Sequence, residues 1–322
     1  MNENIAALNN WIPFRLREEK DENLCQWLYL GDKTFDEPFF DETLAKCRHL
    51  EMNSKPYRVV STMEGLAAWA PLFPVIPPAA LIFHVSRCGS TLLSQLLSLD
   101  PSNIVLSEVP FFDELLRWGF RHQRMEEACE GLRAAVSFHG IRRKEIQQQL
   151  FIKADSWHIL FYDQWRQLYP DVPVILLCRR PDEVIRSHQR QRGMQAVPGV
   201  IEPSLFGFGP DIFHLPLDEY MARVLETFFT AFERVLRTDK QVLAVDYSDG
   251  MLTVMDKIAS FTGTVITGGM REKMKERAGY HAKYPGKVFE EPSLETAPPA
   301  YLKSVFEKYN EIDVIRRTRD QL

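Results

Sequence analysis

The sequence predicts an α/β protein in which helices flank a parallel sheet of about five strands, with a small N-terminal extension. From Ala79 onward, short apolar runs alternate with amphipathic patterns, which is typical of parallel strands joined by crossover helices. A chain of 322 residues, 45% hydrophobic and 26% charged, is long enough to bury such a core. The predicted strands are Leu81–Val85, Asn103–Leu106, Phe151–Lys153, Val174–Cys178 and Val242–Val245.

The stretches between the strands carry apolar residues at helical spacing. The predicted helices cover Phe111–Trp118, residues 121–138, Trp157–Leu168, Asp182–Arg192 and Leu217–Leu236. Ser156 is the expected N-cap of the third helix, because a serine side chain accepts a hydrogen bond from a first-turn N–H. The Gly- and Pro-rich segment Gly193–Pro216 is predicted to be a lid loop.

The first 75 residues follow no regular pattern and are rich in aromatic side chains. We therefore expect two parts: an extension over residues 1–75 that packs on the core, and a core domain over residues 76–322. The N-terminus, Met1-Asn2-Glu3-Asn4, lacks the basic region and apolar core of a signal peptide. The most apolar stretch, residues 65–85, contains four prolines that would break a membrane-spanning helix, so no membrane association is expected.

Charge and cysteine content exclude several classes of protein. A net charge of −5 argues against nucleic acid as a partner, because nucleic-acid binders usually carry a basic excess. The five cysteines are scattered without a C-x-x-C pair, which indicates neither a disulfide framework nor a zinc site. A reducing, cytoplasmic location fits this usage best. No histidine pair has metal-ligand spacing, and nothing in the sequence specifies an oligomeric state.

The most informative segment is the loop that follows the first predicted strand, Ser86-Arg87-Cys88-Gly89-Ser90-Thr91, which runs directly into a periodic helix starting with Leu92. A strand that feeds a helix through small residues directs backbone N–H groups and the positive helix end at one point, which binds phosphate. The Lys-Ser/Thr pair of nucleotide triphosphatases is missing. The loop therefore predicts an anion site rather than a metal–triphosphate site.

A second anion site is predicted after the strand Val174–Cys178. Arg179 ends that strand, Pro181 suits the first turn of a helix, and Ser187 lies one to two turns further on. Arg179 and Ser187 can donate to one phosphate, with Arg190 or Arg192 as a second cation. The alternative is an ordinary helix start whose arginines are solvated or paired with the acidic residues that follow.

Every predicted strand ends in a polar or charged residue, and in open parallel sheets ligands bind beyond the carboxyl ends of the strands. A charged site is therefore expected along that edge of the sheet. The strand-end residues are Ser86-Arg87, Ser107-Glu108, Lys153, Arg179-Arg180 and Asp246-Tyr247.

Together these features resemble the sulfotransferase family that uses 3′-phosphoadenosine 5′-phosphosulfate (PAPS). The loop from Arg87 to Leu93 is similar to the 5′-phosphosulfate loop in the Arg-Ser-Gly-Ser/Thr-Thr-Leu form of bacterial and tyrosyl-protein sulfotransferases. The segment from Cys178 to Ser187 resembles the motif that holds the 3′-phosphate. Leu150–Asp155 resembles the Asn-Lys-Asp/Pro strand end, and Val245–Tyr247 a later Val-x-Tyr-Glu segment. The resemblance covers residues 80–290 and implies a P-loop-type fold.

The resemblance also implies roles for single residues. Glu108 falls at the position of the general base of the tyrosyl-protein branch, and Lys153 would lie near the transferring sulfuryl group. The implied PAPS-binding residues are Arg87, Cys88, Gly89, Ser90, Thr91, Leu92, Arg179, Ser187, Arg190, Tyr247, Lys283 and Lys287. Lys283 and Lys287 belong to a stretch similar to a C-terminal basic loop, and which of them acts is left open. Arg87 would also act in catalysis by holding the phosphosulfate.

The chain departs from the family pattern in two places. Cys88 replaces the usual serine, which removes a hydroxyl donor, and we expect it to serve as a small loop residue rather than a reactive thiol. The Arg-Lys-Gly-x-x-Gly-Asp-Trp-Lys segment of the cytosolic animal enzymes is absent. Two purely structural alternatives also stay open: Glu108 as a cap for the helix that follows, and Lys153 as a solvated strand-end lysine.

Sulfuryl transfer from PAPS to a hydroxyl or amine is an in-line displacement. It requires cations on the phosphosulfate oxygens and a base for the acceptor's proton. Arginine and lysine can supply the charge, so no metal is expected, and the partner is a small-molecule or peptide acceptor. The alternative functions are an ATP- or GTP-dependent kinase that uses Asp246 for magnesium, and a non-catalytic nucleotide-binding protein.

Overall fold

The computed structural model of the chain describes residues 8–19, 22–56, 58–280 and 298–319. Within these ranges the strands are β1 Trp11–Glu19, β2 Glu22–Tyr29, β3 Val60–Thr62, β4 Pro78–His84, β5 Asn103–Ser107, β6 Gln149–Lys153, β7 Val174–Cys178 and β8 Val242–Asp246. The helices are α1 Phe40–Cys47, α2 Met63–Trp69, α3 Ser90–Ser98, α4 Pro110–His122, α5 Met125–His139, α6 Tyr162–Leu168, α7 Pro181–Arg190, α8 Leu217–Thr238, α9 Met251–Thr262, α10 Gly268–Ala278 and α11 Lys303–Arg319. Short 3-10 turns join several of them.

The predicted α/β fold is confirmed. Five strands form one parallel sheet in the order β5-β6-β4-β7-β8, flanked by helices. The register places Ser107 of β5 opposite Lys153 of β6, and Cys178 of β7 opposite Asp246 of β8. All five residues of β7 are buried, because helices cover both faces of such a sheet and its strands are apolar throughout.

All five predicted strands are present, and β7 has the predicted bounds. The largest difference is at β4, which begins at Pro78, three residues before the predicted start; proline is tolerated as the first residue of a strand. The prediction that Ser156 is a helix N-cap is wrong. Ser156 is the first residue of a buried 3-10 turn, Ser156–Phe161, and the α-helix begins only at Tyr162. The apolar residues of this stretch are buried in the tighter turn, which the helical pattern did not distinguish from an α-helix.

The N-terminal region contains a separate three-stranded antiparallel sheet in the order β1-β2-β3. Buried aromatic side chains hold it, with Trp27 of β2 packed edge-on against Phe138 at a ring distance of 4.7 Å. A β-bulge interrupts β1 between Pro13 and Arg15.

Residue contacts divide the chain into two compact units. The first comprises residues 1–80, 94–154 and 164–170, and the second comprises residues 81–93, 155–163 and 171–322. The predicted division after residue 75 stays a prediction. None of the helices in the described ranges combines the length and the apolar character needed to cross a membrane.

Candidate functional site

The predicted phosphate loop lies between the end of β4 at His84 and the start of α3 at Ser90. Two residues in it have left-handed backbone conformations, Arg87 with φ +57° and Gly89 with φ +82°. They turn the chain sharply, so that the Leu93 N–H already donates to the Gly89 carbonyl at 3.0 Å as the helix begins. The first N–H groups of an α-helix have no partner within the helix, which makes this turn a suitable anion site.

Gly89 is required for space as well as for conformation. A Cβ atom at this position would lie 2.6 Å from two ring carbons of Tyr247 and 3.0 Å from the Met251 side chain. Real Cβ atoms do not approach other atoms so closely. The Tyr247 ring therefore packs directly against the backbone of the loop.

Arg179 joins the second predicted anion motif to the first. Its Nη1 donates to the Arg87 carbonyl oxygen at 2.9 Å, and its guanidinium lies 4.5 Å from the centre of the Tyr247 ring. Its Nε donates to Glu183 at 2.8 Å, and only 8% of the residue is exposed. Arg87, Gly89, Arg179 and Tyr247 consequently form one cluster within the second unit. We call these four residues the arginine–tyrosine cluster.

The side chain of Arg87 donates to the backbone carbonyl of Gln191, the C-cap residue that follows α7. Asp218 joins the two ends of the segment that follows α7. It accepts a hydrogen bond from Gln189 at 2.7 Å and is paired with Arg192. Segment 193–216 consists of 3-10 turns and connecting stretches. Whether it acts as a lid stays a prediction.

The remaining predicted residues of the second unit differ in their exposure. Cys88, Ser90 and Thr91 are buried, so their side chains belong to the packed wall of the loop. Ser187 is half-buried on α7, and Arg190 is exposed. The Arg192 side chain is paired with Asp218, which makes Arg190 the better of the two candidates for a second cation. Lys283 and Lys287 lie outside the described residues.

Arg179 and Arg180 differ although they are adjacent in sequence. The Arg180 side chain is half-exposed and pairs with Asp182 at 3.1 Å, as an arginine at an ordinary helix start does. Its guanidinium lies 5.7 Å from the centre of the Phe306 ring. Both arginines thus have acidic partners on α7, and Arg179 additionally donates to the phosphate loop.

Tyr247 is held in its neutral form. Burial raises its pKa above the usual 10.0, although the nearby Arg179 acts in the opposite direction. The phenol keeps its proton at physiological pH, so it presents an apolar ring face to Gly89 and a hydroxyl donor at its edge.

The first unit carries a buried ion pair formed by Glu108 and Lys153. The backbone N–H of Glu108 donates to the Lys153 carbonyl at 2.8 Å, which continues the pairing of β5 with β6 beyond Ser107. Glu108 then adopts a left-handed conformation, with φ +57°, and its carboxylate accepts from Lys153 Nζ. The Lys153 side chain has no exposed surface, whereas 21% of the Glu108 side chain is exposed.

These contacts argue against the two purely structural alternatives for Glu108 and Lys153. Helix α4 begins at Pro110 with Val109 as its N-cap residue, so Glu108 is not the cap. Lys153 is not a solvated strand-end lysine, because it is buried against Glu108 and lies 5.8 Å from the centre of the Phe39 ring. A buried ammonium paired with a partly exposed carboxylate is an arrangement that often has a function.

Asp246, the candidate magnesium ligand of the kinase alternative, is occupied by hydrogen bonds. One carboxylate oxygen accepts from the Ser248 N–H at 2.8 Å and from the Ser248 hydroxyl at 2.5 Å. The other accepts from the Tyr309 hydroxyl at 3.0 Å. Asp246 is buried and shapes the turn that carries Tyr247.

Two contact residues escaped the sequence analysis. Glu183 did not, because pairing of the arginines with the acidic residues that follow was one of the two interpretations of this motif. Phe39 beside Lys153 and Tyr309 beside Asp246 are far apart from their partners in sequence. No local pattern marks such contacts.

No protein-family model matches the chain, and no curated protein sequence matches it. Solved structures with a similar backbone include a sulfotransferase from Alicyclobacillus acidocaldarius, 16% identical, covering 63% of this chain and 91% of that chain with a TM-score of 0.39. Sulfotransferase STF9 from Mycobacterium avium is 13% identical, covering 88% and 84% of the two chains with a TM-score of 0.46. Mouse sulfotransferase SULT7A1, complexed with PAP, is 12% identical, covering 83% and 98% with a TM-score of 0.40. All three are sulfotransferases.

Proposed function

We propose that this chain is a PAPS-dependent sulfotransferase acting on a hydroxyl or amine of a small-molecule or peptide acceptor. The observation that carries the proposal is the contact of the Arg179 guanidinium with the phosphate loop and with Tyr247. The two motifs predicted to bind the two ends of one nucleotide therefore belong to a single cluster. The solved structures with a similar backbone are only 10–16% identical to this chain. The proposal is therefore based on the residues of the chain itself.

The residues of the cluster fit an anionic nucleotide. Two guanidinium groups and the N-terminal N–H groups of α3 are hydrogen-bond donors, and charged hydrogen bonds to phosphate are among the strongest in proteins. In the proposed complex Arg87 and the backbone of Gly89, Ser90 and Thr91 hold the 5′-phosphosulfate. Arg179 and Ser187 hold the 3′-phosphate, with Arg190 and one of the two lysines of the basic loop beside them.

PAPS supplies the sulfuryl group: the bond from sulfur to the bridging phosphate oxygen breaks as a bond from sulfur to the acceptor's oxygen or nitrogen forms. Arg87 stabilises the charge that moves to the leaving phosphate. Glu108 takes the acceptor's proton, and Lys153 fixes the carboxylate in place through the buried ion pair. Positive side chains supply the charge that magnesium supplies in triphosphate chemistry.

The kinase alternative is less well supported. A magnesium ligand needs free carboxylate oxygens, and both oxygens of Asp246 accept hydrogen bonds from Ser248 and Tyr309. The loop also has no lysine after Gly89. These features favour an anion held without metal.

Calorimetry with adenosine 3′,5′-bisphosphate (PAP) tests the proposal. PAP in the presence of a chelator should bind at least about tenfold tighter than ATP with magnesium, a difference of about 1.4 kcal/mol. The reason is that the cluster offers two cationic groups and no metal ligand. Arg180→Gln should bind PAP as the wild type does, whereas Arg179→Gln should bind it weakly.

Two outcomes would contradict the proposal. One is an equal or reversed preference between PAP and ATP with magnesium. The other is loss of PAP binding by the control Arg180→Gln to the same extent as by Arg179→Gln. A purely non-catalytic nucleotide-binding protein would give the same calorimetric result. The turnover of Glu108→Gln distinguishes such a protein from a sulfotransferase.

A further inference from the structure

The turn that carries Tyr247 is anchored at both of its ends. Asp246 precedes it and accepts three hydrogen bonds, two from Ser248 and one from Tyr309. Asp249 closes it and accepts from Arg316 and from Lys257, the latter at 3.1 Å. Side chains from two helices therefore hold a turn of only three residues.

Most of these anchors come from one helix, α11. Tyr309 and Arg316 stand seven residues apart, so they project from the same helix face. Arg316 is buried and is also paired with Asp313 at 2.7 Å. Burial and the neighbouring Asp246 raise the pKa of Tyr309 well above its usual value, so its hydroxyl remains protonated and donates.

The same face of α11 reaches the neighbouring strand end. Phe306, three residues before Tyr309, lies under the Arg180 guanidinium at 5.7 Å from its ring centre. Phe306 and Tyr309 thus contact the residues next to Arg179 and next to Tyr247, respectively. One helix therefore contacts residues next to both strand ends from which the arginine–tyrosine cluster is built, and only the Tyr309 contact is a hydrogen bond to the Tyr247 turn.

The position of the Tyr247 ring is critical for that cluster. The ring packs on Gly89 on the phosphate loop, and Arg179 stacks on it at 4.5 Å. A shift of the 246–249 turn would therefore displace a surface that both the loop and the guanidinium contact. In a closely packed interior such a shift is transmitted to the neighbours rather than absorbed.

We propose that α11 is a positioning element of the nucleotide site and that Tyr309 is its principal positioning residue. Its hydrogen bond to Asp246 fixes the Tyr247 turn, and the Tyr247 ring in turn orders the phosphate loop and Arg179. Tyr309 does not touch the nucleotide in this scheme and acts only through Tyr247. The inference rests on the proposed function because it names PAP as the ligand. Its structural part, the ordering of the phosphate loop, can be measured without any ligand.

Tyr309→Phe tests the inference because it removes the hydroxyl and keeps the ring, which packs edge-on against Phe229 at 5.8 Å. The Kd for PAP should rise about two- to tenfold, the usual range for a residue coupled to a site through its neighbours. In apo protein, hydrogen exchange measured by mass spectrometry should accelerate in residues 85–92. In a Tyr247→Leu background the same substitution should have no further effect on either quantity.

Lys308→Gln is the matched control. Lys308 is the neighbour of Tyr309 on α11, but it pairs with Glu233 at 2.9 Å and with Glu311 at 3.1 Å, away from the turn. This variant should lose both ion pairs while leaving PAP affinity and loop exchange unchanged. If Tyr309→Phe does not fold, Ser248→Ala removes another hydrogen bond to Asp246 and should change both quantities in the same direction.

Three results would overturn the inference: wild-type PAP affinity and loop exchange in Tyr309→Phe, an equal effect of Lys308→Gln, or an additive effect in the Tyr247→Leu background. Failure of the proposed function gives a different result. In that case the wild type would not bind PAP, while loop exchange would still accelerate in Tyr309→Phe.

Discussion

Glu108 combines two properties that are individually unfavourable. Its backbone is left-handed, which costs a residue with a side chain about 1–2 kcal/mol. Its carboxylate pairs with an ammonium that has no exposed surface, and burying a charge is costly unless its partner is well placed. Such features persist where the surrounding structure holds them, and they are concentrated at functional sites.

Replacing Glu108 by glutamine separates catalysis from nucleotide binding. We expect turnover to fall by about 10²–10⁴-fold, because an amide cannot accept the acceptor's proton. PAP affinity should stay within about threefold of wild type, because that variant leaves Arg87 and Arg179 intact. The measurement is transfer of radiolabelled sulfuryl from PAPS to the best acceptor found in a screen of hydroxyls and amines, alongside calorimetry with PAP.

A control removes another paired carboxylate of the same unit. Glu18 accepts from Arg121 and contacts His122, both at 2.8 Å, and its side chain is 43% exposed, so Glu18→Gln should retain activity. Full turnover in Glu108→Gln would rule out the base role and favour a non-catalytic nucleotide-binding protein. Thermal unfolding of both variants shows whether a lost ion pair alone explains any change.

At the residue scale the sequence predicts which side chains lie at the strand ends, but it does not predict their distant partners. Arg179 and Lys153 could be predicted because each ends an apolar run, and such residues lie at the carboxyl edge of a parallel sheet. The Phe39 ring beside Lys153 could not, since the fold alone brings these two residues together. The two roles of adjacent Arg179 and Arg180 also become distinct only through tertiary contacts.

The loop between β4 and α3 depends on one glycine for two separate reasons. Gly89 has a positive φ, and Tyr247 leaves no room for a Cβ. The short polar segment between an apolar run and a helical pattern makes the loop itself predictable from the sequence. The packing of Tyr247 on it is not, because more than a hundred residues separate the two.

Gly89→Ala should therefore disrupt the site more than conformational strain alone would. The matched control is Gly263→Ala: Gly263 ends α9 with φ +70°, and a methyl group at that position would have nothing within 4 Å. We expect the control to lower the free energy of unfolding by about 1 kcal/mol, the cost of a left-handed alanine, with PAP binding unchanged. Gly89→Ala should cost more and abolish PAP binding, as measured by denaturation and calorimetry.

The comparison between Gly89→Ala and Gly263→Ala tests whether the Tyr247 ring supports the phosphate loop. Equal losses of stability, with PAP binding retained in both, would mean that the Tyr247 ring moves away freely and does not support the loop. That result would also weaken the role assigned to α11.

For the whole molecule, sequence patterns predicted the class of fold and the positions of the five parallel strands. They did not predict the order β5-β6-β4-β7-β8, because strand order is set by packing between distant segments. They also did not resolve the three strands of the N-terminal sheet, where the bulge at Pro13 and aromatic packing obscure the alternation. The five cysteines are all buried.

Stability should depend on pH through one carboxyl of the first unit. Burial raises the pKa of Glu114 to about 7, although the Leu16 N–H donates to it. The folded state therefore binds this proton more tightly than the unfolded chain, in which the pKa is near 4.5. Its stabilising contribution is complete below about 4.5 and is lost as the pH rises through about 7. Denaturant unfolding between about pH 5 and about pH 8 should thus show declining stability.

Glu114→Gln should reduce that decline, since glutamine has no proton to lose and its carbonyl can still accept from Leu16. Glu130→Gln, at an exposed position on α5, should preserve the wild-type decline. An unchanged pH profile in Glu114→Gln would show that Glu114 does not govern this dependence.

The left-handed conformations of Arg87 and Glu108 have a consequence for how sequence can vary at these two positions. Glycine would adopt the same backbone without steric strain, so it is the residue that the folded backbone alone would select at either position. At position 108, however, glycine would leave the buried Lys153 ammonium without its carboxylate, which costs more than the strain it relieves, whereas at position 87 the loss would include the hydrogen bond to the Gln191 carbonyl.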